Sequence, residues 1–178
     1  DVVAFVGFRG IDILSLQPDS NGRLSPIASS LGISDGVKCF RDIFKADDGS
    51  FIGVASNALW KISIRPNGVV TRSQMRPVAD GGATIWCAFL MGSNMYVYTD
   101  AGMVVGDQAG TFFEPVDFVP PRLKVVDFVR ISETQVALVA THSIWLIGPS
   151  SARRVVDSKV RLGRGCIHDG KLFICSDS

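Results

Sequence analysis

The stretch GSFIGVASNALWKISIRPNG spans residues 49–68. Two apolar runs, SFIGVAS and LWKISI, flank a short Ser-Asn-Ala break, and Asn67-Gly68 closes the second run. Both runs are rich in Val, Ile, Phe and Trp, residues that fit a pleated, buried surface. The first run is apolar on both faces, as expected of a strand covered on two sides. Asn-Gly accepts positive φ at both positions and is the strongest short signal for a two-residue hairpin.

Loose copies of this stretch recur along the chain. The breaks Phe8-Arg9-Gly10, Ser56-Asn57-Ala58, Asp100-Ala101-Gly102 and Thr141-His142-Ser143 occupy one place in the pattern. The runs VVAFVGF, SFIGVAS, NMYVYT and QVALVAT precede them, and IDILSL, LWKISI, MVVGD and IWLIG follow. Aligning Ile11, Leu59, Met103 and Ile144 gives a repeat of about 40–48 residues. Asn21-Gly22 and Asn67-Gly68 share a second register, read as hairpin turns. Asp48-Gly49, Gly92-Ser93, Ser132-Glu133 and Asp169-Gly170 share a third. No segment sustains a 3.6-residue period, and residues 38–46 alternate better as a strand than as a helix.

Four antiparallel strands per unit at this period is the layout of a propeller blade. By layout the chain resembles the broad β-propeller group, including WD-repeat-like and citron-homology-like adaptor propellers. Trp60 and Trp145 hold equivalent places, but Lys61 and Leu146 follow them where a WD repeat has Asp. The expected fold is all-β: a partial propeller of four-stranded antiparallel blades, three complete and two partial. The blades are placed at about 1–36 (partial), 37–82, 83–122, 123–163 and 164–178 (partial), within a single domain or fragment. A chain that begins at Asp1 inside strand-like sequence reads as a piece of a longer propeller.

The 178 residues carry 18 Lys/Arg and 17 Asp/Glu, a formal charge of +1 that hides segregation. Residues 80–119 hold five acids and no base, whereas residues 120–178 hold nine bases and five acids. Such asymmetry bears on partners and steering rather than on fold. No apolar run approaches the roughly 18 residues that span a bilayer. Cys39, Cys87, Cys166 and Cys175 lack the spacing of a zinc or redox motif. If Asp169-Gly170 makes a two-residue hairpin, Cys166 faces Phe173 and Cys175 is only its diagonal neighbour. Free, buried thiols in a reducing compartment are therefore expected, and with no leader before the first strand the location is read as intracellular, cytoplasmic or nuclear.

Candidate chemistry is sparse. Asp107 to Phe112 resembles a degenerate Asp-box of sialidase-type propellers, with Ala109 and Val105 departing from the pattern. It motivates an alternative glycan-binding reading, but no second copy appears and an ordinary polar hairpin is the preferred explanation. His142 and His168 read as turn residues. No acid, base and nucleophile can be assembled, so the expectation is no enzyme, no catalytic or metal residues and no cofactor. The densest signal is SARRVVDSKVRLGRG, where Arg153, Arg154, Lys159, Arg161 and Arg164 fall within twelve residues beside Asp157 alone. Charges on an outer strand also serve simply to prevent edge pairing. As a functional surface the stretch would bind an acidic or phosphorylated partner. It has no interleaved aromatics, which argues against single-stranded nucleic acid. Tyr96, Tyr98 and Trp86 are expected in the core. The expected role is a non-enzymatic scaffold or adaptor that binds other proteins of a multi-subunit assembly, with phosphate or acidic-ligand binding through 153–164 as a further alternative.

Overall fold

The computed structural model describes residues 2–7, 10–31, 40–65, 69–75 and 82–177. All regular structure among them is β, with no helix. The strands are β1 (Val2–Gly7), β2 (Gly10–Pro18), β3 (Leu24–Leu31), β4 (Phe40–Lys45), β5 (Phe51–Ala55), β6 (Leu59–Ile64), β7 (Val70–Met75), β8 (Ile85–Met91), β9 (Asn94–Thr99), β10 (Gly102–Asp107), β11 (Phe113–Val116), β12 (Val125–Ser132), β13 (Gln135–Ala140), β14 (Ser143–Gly148), β15 (Ser151–Asp157), β16 (Leu162–His168) and β17 (Lys171–Ser176). They pair in sequence order as antiparallel meanders: β1–β3, β4–β7, β8–β11, β12–β15 and β16–β17. The segment 38–46, ambiguous between helix and strand, contributes β4. The chain divides into two compact units, Asp1–Ile85 and Trp86–Ser178.

In the first unit the opening stretch forms β5 and β6, with Gly53 opposite Trp60 and Val54 opposite Leu59. Every residue of β5 is buried. Phe40, Phe51, Trp60 and Ile62 form one core cluster with Ile43, Ile64 and Val70 packed on it. Asn67-Gly68 lies outside the described residues. Asn21-Gly22 does not form the two-residue hairpin expected of it. Asp19 N donates to Arg23 O and Gly22 N to Asp19 O, giving a three-residue loop with Gly22 at φ +75°. The Asp19 carboxylate explains this: its Oδ1 accepts from both Asn21 N and Arg23 N, which favours a type I turn with a glycine in the left-handed position. Asp48-Gly49 sits in a loop with the same bonds, Ala46 N to Ser50 O and Gly49 N to Ala46 O.

In the second unit β13 is buried from Val136 to Ala140, because it is covered on both faces. One face joins Val136, Leu138 and Ile147 to Phe89, Tyr96, Tyr98 and Met103 of the preceding sheet. Phe89 stacks on Tyr96 at 5.6 Å and tilts against Phe128 at 5.3 Å. The other face joins Ala137, Val139 and Ile144 to Leu162, with Ile167, Leu172 and Ile174 of the last hairpin against them. Each fully buried large side chain contributes about 2 kcal/mol. Two-sided burial accounts for apolar runs without in–out alternation. The hairpin tip expected at Ser132-Glu133 lies one residue on, since Ser132 pairs with Gln135. Asp169 (φ 48°) and Gly170 (φ 69°) form the expected two-residue turn, so Cys166 does pair with Phe173. Cys87 is buried, but Cys166 and Cys175 are exposed, contrary to expectation, because the hairpin buries its Ile167 and Ile174 face instead. Cys39 lies outside the described residues.

Candidate functional surface at the strand connectors of the second unit

Because successive strands alternate in direction, the turns between second and third strands share one edge of each sheet with the connectors between sheets. In the second unit that edge holds the turns at 100–102 and 141–142 and the connectors 117–124 and 158–161. Both connectors are fixed by specific bonds. The Tyr98 hydroxyl donates to Pro120 O and accepts from Leu123 N, each at 2.8 Å. Tyr98 is fully buried. Its burial raises the phenol pKa above 10.0, with the Leu123 N–H acting in the opposite direction. The clamp holds Arg122 at φ +63°, a left-handed backbone that a non-glycine residue adopts at a cost. Thr141 joins the two connectors. Its N and Oγ1 both donate to Lys124 O, and its own O accepts from Leu162 N. Ser158 N donates to His142 O, and the Ser158 hydroxyl bonds Val160 at both N and O.

The five basic residues singled out in sequence do not converge. Arg153 pairs with Leu146 and Arg154 with Trp145, so adjacent residues on β15 point to opposite faces. Arg154 lies 6.0 Å over the Trp145 ring and 3.5 Å from Asp157, so its charge is engaged locally. Arg72 stands over Trp60 in the same way, also at 6.0 Å. Arg164 belongs to β16 rather than to the preceding loop, because β16 starts at Leu162. It lines a shallow groove of about 270 Å³ with Cys166, Phe173 and Cys175 on the exposed face of the last hairpin. Only Lys159 and Arg161 sit on the connector edge. They have company that the sequence reading passed over: Arg122 and Lys124. All four are exposed, and none has an ion-pair partner among the described residues. The acids of the same edge are Asp100, Asp117, Asp177 and Asp157, the last beside Arg154.

Asp107 is occupied by its own turn. Its carboxylate accepts from Thr111 N and from the Thr111 hydroxyl, and Gly110 N donates to Asp107 O. The Thr111 hydroxyl bond is the main reason its pKa falls below the usual carboxylate value. A second copy of this turn, invisible to the Asp-box pattern, occurs at Asp19, where Gly22 and Arg23 stand in for Gly110 and Thr111. The signal in sequence is Asp-x-x-Gly at the end of a third strand. Tyr96, Tyr98 and Trp86 lie in or against the core, as expected. His142 lies in a turn, and His168 is exposed beside Asp169. Among the described residues no group of three or more His, Cys, Asp or Glu could hold a metal ion. No helix among them is long and apolar enough to cross a membrane.

No known protein family matches this sequence, and no curated protein is significantly similar to it. Solved structures are similar in fold. Virginiamycin B lyase from Staphylococcus aureus matches 94% of this chain with a TM-score of 0.68 at 10% identity. YCF48 bound to D1 peptide matches 98% with a TM-score of 0.69 at 11% identity, and YCF48 from Cyanidioschyzon merolae 98% with 0.63 at 12%. The fold is a partial β-propeller. The propeller chain spans 56–63% of the length of these three structures. The likeness corrects one expectation, that the chain is not an enzyme. A lyase shares the propeller over nearly the whole chain. Failure to assemble a catalytic set from sequence therefore excludes nothing, because such sets are built in space and a fold does not prescribe its function.

Proposed function

We propose that this propeller binds another protein and that its connector edge is the contact surface. The observation that carries the reading is the pair Lys159 and Arg161, exposed without ion-pair partners among the described residues, on a connector fixed by Ser158 and Thr141. Fixed backbone lowers the ordering cost of binding, and unpaired charge steers encounter. Arg153, Arg154 and Arg164 flank this surface on neighbouring faces and complete the proposed contact set. YCF48, a propeller of similar fold, is bound to a peptide, which supports a peptide-binding use of the architecture. In this reading the five sheets are successive blades of one domain, within a larger assembly. The Cys166 and Cys175 thiols, exposed and outside any disulfide among the described residues, suit an intracellular, reducing compartment.

The test uses the full chain as bait in extract from its own source, at low and high salt, followed by reconstitution of each captured protein from purified components. The reading expects a stoichiometric protein partner whose affinity falls when Lys159 and Arg161 are changed to Glu. Partners that bind wild type and variant equally, or no reconstitutable partner, would overturn it.

A further inference from the structure

The two connectors end in the same motif. Arg122-Leu123-Lys124 leads into Val125 of β12, and Lys159-Val160-Arg161 leads into Leu162 of β16. Arg122 and Lys159 each stand three residues before a first strand, and Lys124 and Arg161 each stand one before. Basic residues alternate with an apolar one in both. Residues 82–84, before β8, are Gly-Ala-Thr, so the motif is not a general requirement of the connection. Val125 and Leu162, the residues after each motif, are buried and set both in register. Thr141 then fixes their separation. It is hydrogen-bonded to Lys124 on one side and Leu162 on the other, which ties the two connector ends together; β16 also bonds β12 directly, with Gly165 N donating to Asp127 Oδ2 at 3.0 Å.

From this we infer that the paired connectors form one acceptor for an acidic peptide segment carrying an apolar residue, lying across both motifs. The inference rests on the protein-binding reading and names its ligand. The four cations lie on two connectors joined through one residue, Thr141, and an extended peptide, advancing about 3.3 Å per residue, needs only a short segment to lie across both. Val160, 46% exposed between Lys159 and Arg161, gives an apolar side chain something to cover. The left-handed Arg122, held there by the Tyr98 clamp, is the strained residue of the edge, and such strain concentrates at binding surfaces. Among the described residues no exposed Phe, Tyr or Trp lies on this edge, and the imidazole of His142 is its one exposed aromatic ring. Phe112 and Phe173, the exposed ones, belong to the 108–112 turn and to β17. That favours a peptide over single-stranded nucleic acid. The rim acids Asp100, Asp117, Asp157 and Asp177 limit the field and select a short acidic segment over a polyanion.

The experiment is a fluorescence-anisotropy titration of the full chain with a labelled Glu-Asp-Glu-Leu-Glu-Asp-Glu peptide. Its amide counterpart Gln-Asn-Gln-Leu-Gln-Asn-Gln, a single-stranded oligonucleotide and phosphatidylserine vesicles are run in parallel. The variants are Arg122→Gln with Lys124→Gln, Lys159→Gln with Arg161→Gln, and, as the control, Lys171→Gln. Expected are saturable binding of the acidic peptide only, weakened by salt, and a loss of at least about fivefold in each connector variant. The Lys171 variant, beside the 169–170 turn at the opposite edge, should bind like wild type. Loss in only one connector variant would overturn the two-connector acceptor. Stronger binding of oligonucleotide or vesicle would overturn the partner class. Failure of the peptide to bind, while a reconstituted protein partner still binds and still loses affinity on Lys159 and Arg161 substitution, would sink this inference and leave the protein-binding reading standing.

Discussion

Tyr98→Phe removes a single oxygen from the interior of the second unit and leaves the ring in place. That oxygen bonds Pro120 O and Leu123 N at 2.8 Å each. Phenylalanine fills the same space, so the cavity contribution is small. Two backbone groups lose their partner, at about 1 kcal/mol each, for a total of about 2 kcal/mol. For a chain of this size that lowers Tm by about 4–8 °C. The same change releases the connector that holds Arg122 at φ +63°. Two assays follow: thermal unfolding by circular dichroism, and amide exchange at Leu123. A further signature is alkaline. Burial raises the Tyr98 pKa in the folded state above 10.0. Its stabilisation is therefore intact below pH 10.0 and lost as pH rises through the folded value, so the variant should show a shallower alkaline decline. Tyr96, raised by the same cause, keeps part of the slope. An unchanged Tm together with unchanged Leu123 exchange would refute the clamp.

Other outcomes are expected of the same geometry. Trp60 Nε1 is buried with no hydrogen-bond partner among the described residues, whereas its counterpart Trp145 Nε1 donates to Ser143 Oγ; Ala58 stands where Ser143 would be. Ala58→Ser should therefore stabilise by about 1 kcal/mol, and a fall in Tm would show that the site lacks room. A Cβ on Gly106 would meet Phe112 O at 2.2 Å, so Gly106→Ala should destabilise by about 2 kcal/mol or more, read as a lower urea midpoint. Arg154→Ala should cost about 0.5–1 kcal/mol through the Trp145 ring, and Arg153→Ala less than about 0.5; equal costs would contradict their opposite orientations. Asp48, bonded first by Lys61 and then by Ser50, and Asp107, bonded by Thr111, both have lowered pKa values. Their stabilisation is present above 3.8 and lost as pH falls through the lower folded values, so Asp48→Asn and Thr111→Val should each flatten the acid unfolding profile.

The strands were legible because two-sided burial writes itself as apolar runs, and the turn residues between them punctuate at a fixed period. SFIGVAS and LWKISI became β5 and β6 with scarcely a residue's difference. Loop details were not legible. Asn21-Gly22 reads as a two-residue hairpin, but the Asp19 side chain competes for the backbone amides and shifts the turn. The basic stretch misled for a related reason. Sequence proximity put Arg153 beside Arg154, while strand alternation sends them to opposite faces. Conversely Lys124 and Arg161 are far apart in sequence, and their connectors are brought together by Thr141 and by the Gly165–Asp127 bond between β16 and β12, contacts that no local pattern announces. The repeat of base, apolar residue, base before β12 and β16 was the available signal. Catalysis was misjudged because absence of a motif in one dimension says little about groups assembled in three.

The measurement that bears most directly on the account is residue-resolved amide exchange of the full chain, read at the connectors. If Thr141 and Tyr98 fix this edge as a preformed surface, the amides of Leu123, Thr141, Ser158 and Leu162 should be protected to a degree comparable with the strands they adjoin. Exchange at these four positions as fast as at an exposed turn such as Ser150 would mean that the connectors are not held, and the preformed binding edge would be contradicted.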